Sequence, residues 1–268
     1  MGNLKEHPAS HIVRLLNIGE SGTGKTGALA SLAKAGYRLW ILDYDNGLDI
    51  LANLLADDPE AMERVTYKSL RDKITLTAGV PKVLGQNVTA WKEAGKTVEE
   101  WQEQAGGDFG PLDILVIDTL TTMSMAAFNE ALKLGSRLNQ RPQQNDYGWM
   151  ADTVLLFMQA ITEEDANFNL IVNTHVRYLS AGEDDTSNRG LPNAKGQQIP
   201  KDIGKFFNTI VLTRTQGSGP GARRMISTQP QGVIEVKTSN PKGVKPSYGL
   251  ENGLAELFHD ILQHGPQA

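Results

Sequence analysis

Gly19, Gly24, Lys25 and Thr26 stand in the spacing G-x-x-x-x-G-K-S/T within the stretch GESGTGKT. That spacing suits a loop whose backbone N–H groups curl around a phosphate, with the lysine reaching the outer phosphates and the hydroxyl ligating Mg²⁺. Gly19, Glu20, Ser21, Gly22, Thr23, Gly24, Lys25, Thr26 and Gly27 are therefore the candidate nucleotide-binding residues. A chance glycine-rich turn is the competing reading. Context decides against it, because the apolar run HIVRLLNI precedes the loop as a strand and GALASLAKAG follows it as a helix.

A second candidate, Asp118, ends the apolar run ILVID. An acid at the carboxyl end of a buried strand lies across the crevice from such a loop and can hold its metal, while capping the helix that opens at TLTTM is the alternative role. Thr26 and Asp118 are thus the metal candidates, and ATP with Mg²⁺ the expected cofactors. The next residue is Thr119 rather than an acid, so a water-activating base has to come from elsewhere. LDYD, closing another apolar run, brings Asp43 and Asp45 to the same sheet edge; capping a helix that begins near Leu48 stays open for both.

The elements that must position these groups follow from hydrophobic pattern. Strands are expected at about 11–18, in YRLWILDYD, in PLDILVIDTL, in NFNLIVNTH and in FFNTIVLTR, with RVTYKSL an edge strand. Helices are expected at about 25–35 closed by Gly36, at LDILANLLADDP, at 122–134, at 146–164 and in NGLAELFHDILQ. Val88, Trp91, Val98 and Trp101 among charges suggest an amphipathic helical insertion over 86–107. ARRMISTQ and VIEVKTS look like an antiparallel pair around Pro230 and Gly232, and the polar stretch after NTH shows no periodicity. Alternating strands and helices demand an α/β fold with a mostly parallel sheet covered on both faces.

Composition removes other classes. There are no cysteines, and the five histidines lack ligand spacing, which argues against a structural zinc site. No run approaches the roughly 18 apolar residues of a membrane span, and MGNLKEHPAS has no signal-type apolar region, so the expectation is a soluble, cytoplasmic chain. Charge is uneven: residues 1–186 carry 16 Lys/Arg against 26 Asp/Glu, and residues 187–246 carry 10 against 2. A solvated surface and a phosphate-contacting surface are both open for that basic block.

The motifs GESGTGKT, LVID and WILDYDNGLDI together resemble RecA-type ATPases. The resemblance implies a RecA-like P-loop core with strand order 5-1-4-3-2, helices on both faces and a C-terminal antiparallel extension, in one domain over 1–268 with appendages at 178–200 and 220–268. It implies Lys25, Asp45, Asp118 and His175 as catalytic residues, with Asp45 deprotonating the attacking water and His175 sensing the γ-phosphate; a structural histidine remains open. It implies single-stranded DNA as partner, through Arg137 and Arg141 in one loop and Arg189 and Lys195, beside Asn188, in another. Tyr147 either stacks a base or packs its helix. A cation from a second copy would come from Lys237 or Lys242, with Arg223 and Arg224 as substitutes, in a homo-oligomeric ring or filament. The whole set is similar to phage-encoded annealing and recombination ATPases, which would add a single-stranded-DNA-binding protein as a partner. A nucleotide-gated adaptor and a small-molecule kinase are the other classes open to this loop.

Overall fold

The computed structural model describes residues 12–179, 189–230 and 232–262. In chain order the first half runs β1 (Arg14–Ile18), α1 (Lys25–Ala28), α2 (Ala30–Lys34), β2 (Arg38–Asp43), α3 (Asp49–Leu55), α4 (Pro59–Glu63), β3 (Val65–Ser69), β4 (Ile74–Thr77), β5 (Val80–Val83), α5 (Ala90–Gln104), β6 (Asp113–Asp118) and α6 (Leu120–Leu134). The second half runs α7 (Gln144–Ala160), β7 (Asn169–Thr174), β8 (Val176–Leu179), β9 (Arg189–Pro192), α8 (Gln198–Asp202), β10 (Thr209–Gln216), β11 (Arg223–Ser227), β12 (Ser247–Gly249) and α9 (Gly253–Leu262).

One sheet organises the molecule, in the order β12-β11-β10-β1-β7-β6-β2-β3. The six strands from β10 to β3 are parallel, and β11 and β12 are antiparallel additions. The sheet is therefore mixed: β3, the edge strand expected in RVTYKSL, extends one edge beyond β2, and the antiparallel β11 and β12 extend the other. The central strands are buried on both faces, which is why ILVID reads as an unbroken apolar run before its final acid. Alternate residues serve opposite layers. Leu15, Leu39, Ile41, Ile114 and Val116 pack with α1 to α4 and α9, whereas Leu16, Leu42, Leu115, Ile117 and Val172 pack with α5 to α8.

The expected insertion helix is α5. It buries Ala94, Val98 and Trp101, and the Trp101 ring lies 5.7 Å from that of Trp40 on β2. Trp101→Ala is expected to lower unfolding stability by about 3–5 kcal/mol, read as a lower urea midpoint, because a nearly closed site loses a large aromatic and cannot collapse over the void.

Three expectations fail. Residues 233–238 do not pair with β11, since both edges of that strand are taken, by β10 and by β12. They make only isolated bridges, Gly190 to Ile234 and Ile210 to Lys237. The stretch after NTH is not structureless: β8 and β9 form an antiparallel hairpin followed by α8. Alternating burial of Gly190 and Pro192 supplies a period too short to be seen among polar neighbours. The segment 25–35 is two short helices meeting at Leu29 rather than one. Among the described residues, no helix is long and apolar enough to cross a membrane.

Candidate functional site

Strands β1, β2, β6 and β7 are parallel, so their carboxyl ends share one edge of the sheet. GESGTGKT leaves β1 there and turns into α1. Gly19 passes so close to β10 that a Cβ would sit 2.4 Å from the Thr213 carbonyl oxygen. Gly24 has φ 101°, and a side chain on it would strike Leu250, 2.4 Å away. The loop is thus shaped by glycine where the spacing demanded it. Lys25 is 6% exposed, and its Nζ donates to the carbonyls of Gly19 and Glu20 at 3.0 and 2.8 Å. Burial lowers the Lys25 ammonium pKa, against the charges of Asp118 and Asp45.

Asp118 is 1% exposed at the end of β6. Its Oδ2 accepts from the Thr26 hydroxyl at 2.6 Å and its Oδ1 from the Asn173 amide at 3.1 Å. Burial raises its pKa, opposed by those two hydrogen bonds and reinforced by the charges of Asp45 and Asp43. The two metal candidates are therefore in direct contact, and their donors are hard oxygens of the kind Mg²⁺ takes together with phosphate and water. This donor set fits a Mg-nucleotide.

The two acids of LDYD separate. Asp43 closes the turn after β2, its Oδ1 accepting from the N–H of Asn46 at 2.7 Å and of Gly47 at 3.4 Å, and burial raises its pKa. Asp45 points across to the residues after β6, where Thr119 Oγ1 donates to its Oδ2 at 3.2 Å and the Thr122 hydroxyl donates to its Oδ1. His175 Nε2 lies 3.8 Å from the same carboxylate. Burial alone would raise the Asp45 pKa, but the nearby His175 and the hydrogen bonds from Thr122 and Thr119 outweigh it and hold the group below its ordinary value. The sequence left Thr119 as a missing acid; its hydroxyl holds the acid delivered from β2.

Other candidates disperse. Arg137 grips Asp146 through Nε at 2.9 Å and donates to the Gly135 carbonyl, while Asp146 forms a capping box with Gln143 at the start of α7. That arginine braces a helix start, and Asp146 takes the fork a phosphate would need. Tyr147 stacks on Phe128 with centroids 4.7 Å apart, the packing role of its two readings. Lys195 Nζ sits 4.9 Å over the Phe128 ring, Arg141 is exposed before α7, and Arg189 opens β9. Asn188 lies outside the described residues. Lys237 donates to the Gly204 carbonyl at 2.8 Å, and Lys242 is exposed. Arg224 is exposed, and its Cδ would lie 3.4 Å from a Cβ on Gly24 in the phosphate loop.

Sequence reasoning missed Asn17, Asn173 and Thr213, all fully buried, on β1, β7 and β10. The signal was present as single polar residues inside the apolar runs LLNI, LIVNT and IVLTR.

A family model described as an AAA domain matches residues 12–239. Among solved structures, a KaiC-like protein from the hyperthermophilic archaeon Pyrococcus horikoshii is similar at 12% identity, over 90% of this chain and 88% of that one, with a TM-score of 0.48. No curated protein matches. Because the family match takes in the phosphate loop, Asp118, His175 and the strands between them, the chain belongs to the AAA domain family, as an ATP-binding domain.

Proposed function

We propose that this chain is a Mg²⁺-dependent ATPase whose turnover is coupled to single-stranded DNA, in the manner of the phage recombination proteins its motifs resemble. The observation that carries the reading is the placement of Asp45, ionised and held by Thr119, Thr122 and His175, on the same sheet edge as Lys25, Thr26 and Asp118. Thr26 and Asp118 would hold Mg²⁺, which supplies charge neutralisation between the β- and γ-phosphates. Lys25, drawn from the loop carbonyls, binds the outer phosphates. Asp45 accepts the proton of the attacking water, and His175 ties that carboxylate to the turn leading into β8.

The DNA part rests on the basic residues 187–246 following His175. Arg189, Lys195 and Arg141 are its candidates, each a phosphate contact without base readout. A homo-oligomer in which Lys242 reaches a neighbouring nucleotide would make hydrolysis depend on assembly; Lys237, held on Gly204, would first have to leave that carbonyl.

ATP turnover should rise when single-stranded DNA is added at low salt, and the rise should fade between about 50 and 200 mM salt as counterions compete. Lys25→Ala should abolish both nucleotide binding and nucleotide-dependent DNA binding. Turnover indifferent to DNA at every salt concentration would remove the DNA coupling and leave an ATPase of another purpose.

A further inference from the structure

Three uncharged polar side chains lie together in the middle of the sheet, each with no exposure: Asn17 on β1, Asn173 on β7 and Thr213 on β10. Register explains how they meet. Asn17 pairs with Asn173, and Asn173 with Asp118, so these share one rung across adjacent strands; Thr213 lies two residues beyond Val211, the β10 partner of Asn17, on the same face of the sheet. Neighbouring strands run about 4.8 Å apart, a gap that one amide spans by hydrogen bonding on both sides.

The bonds form a single directed chain. The Thr213 hydroxyl donates to Asn17 Oδ1; Asn17 Nδ2 donates to Asn173 Oδ1 at 2.9 Å; Asn173 Nδ2 donates to Asp118 Oδ1 at 3.1 Å. An ionised carboxylate only accepts, so Asn173 must offer its NH₂, which leaves its carbonyl for Asn17, whose own carbonyl is left for the hydroxyl at the far end. Every link is thus oriented by the acid.

Fold stability does not require such a chain. Aliphatic residues of similar size fill neighbouring positions of the same strands, and replacing both partners of a buried hydrogen bond by apolar groups is close to neutral. A half-satisfied buried network, by contrast, is worse than none. What the chain does accomplish is to pin one oxygen of Asp118 while Thr26 takes the other at 2.6 Å.

We infer that Thr213, Asn17 and Asn173 are positioning residues that fix the Asp118 carboxylate for a divalent cation, so that a hydroxyl three hydrogen bonds away on β10 tunes Mg²⁺ binding at the nucleotide. This rests on the reading of Asp118 as a Mg²⁺ ligand. Partners behind metal ligands typically contribute 10–100-fold in metal affinity.

The test measures the Mg²⁺ concentration that half-saturates binding of a non-hydrolysable ATP analogue, and analogue affinity in EDTA, for Asn173→Leu, Thr213→Val, Thr213→Ser and Asp118→Asn. Asn173→Leu should weaken Mg²⁺ binding by about 10-fold or more, and Thr213→Val by several-fold. Thr213→Ser, which keeps the hydroxyl, should remain close to wild type. Affinity in EDTA should be unchanged in Thr213→Val and Thr213→Ser. In the metal-free protein, Thr213→Val should also shift the side-chain amide resonance of Asn173, two links away. If Asn173→Leu does not fold, the valine and serine variants decide the matter. Wild-type Mg²⁺ affinity in Thr213→Val, or a loss matched by an equal loss in EDTA, would overturn the relay. If Asp118→Asn leaves Mg²⁺ dependence intact, the assignment of Asp118 fails and the relay with it; sensitivity in Asp118→Asn but not in Thr213→Val sinks the relay alone.

Discussion

Asp45→Asn is expected to reduce ATP turnover by about 10²–10⁴-fold, the contribution of a positioned general base, with ATP affinity close to unchanged. The asparagine keeps the shape: its carbonyl accepts from one of the two hydroxyls that orient the wild-type carboxylate, Thr119 and Thr122, and its NH₂ donates to the other, whose hydroxyl reverses its role. What it loses is basicity at the position where the water must be deprotonated. Steady-state turnover together with equilibrium nucleotide binding separates these effects, and a variant with full turnover would move the base elsewhere. Asp43→Asn is the internal comparison, because Asp43 closes a turn through the N–H groups of Asn46 and Gly47 and accepts from the Ser69 hydroxyl on β3. Its effect should appear in stability rather than in turnover. The pH behaviour has a definite sign. The nearby His175 and hydrogen bonds from Thr122 and Thr119 hold the Asp45 pKa below its ordinary value despite burial. Asp45 therefore contributes stability above the unfolded carboxylate pKa of about 3.9, and that contribution disappears as pH falls through its own lower value.

Asp118→Asn should separate folding from ligand binding in the opposite direction. In the metal-free protein the wild-type carboxylate is buried, and two neighbouring acids oppose its charge. An asparagine can accept from Asn173 and donate to Thr26, whose hydroxyl reverses its role, so no hydrogen bond need be lost. The metal-free variant is expected to melt about 2–4 °C higher, the shift that about 1 kcal/mol produces in a chain of this size. The gain should vanish below about pH 4, where Asp118 is protonated in both folded and unfolded states; a folded pKa raised by burial makes wild-type stability fall as pH rises from that point. With Mg²⁺ and ATP the order reverses. A ligand at 100 times its Kd adds about 2.7 kcal/mol to wild type, and most of this should be missing from the variant. Thermal melts with EDTA, Mg²⁺ alone, ATP alone and both provide the comparison; equal Mg-ATP stabilisation of the two proteins would remove Asp118 from the metal site.

The amino-acid sequence by itself determined the phosphate loop, Asp118 and the α/β alternation, because each is written in contiguous residues: a glycine spacing, an apolar run ending in an acid, and period-2 stretches between helical ones. It also brought Asp43 and Asp45 to the right edge of the sheet, since the end of a parallel strand is fixed once the strand is recognised. The division of labour between those acids was not legible. It depends on Thr119 and Thr122, which are distant in sequence and meet Asp45 only when β2 lies beside β6. The basic residues show the same limit from the other side. Arg137 reads as a cation free for phosphate until Asp146, nine residues on, takes its guanidinium at the start of α7. The β-pairing of 233–238 failed because a strand's partners are set by which edges are already occupied, a property of the assembled sheet. Asn17, Asn173 and Thr213 make the contrast sharpest. One at a time they are isolated polar residues in apolar strands, and only the parallel register, by stacking β10, β1, β7 and β6, turns them into one chain of hydrogen bonds ending on Asp118.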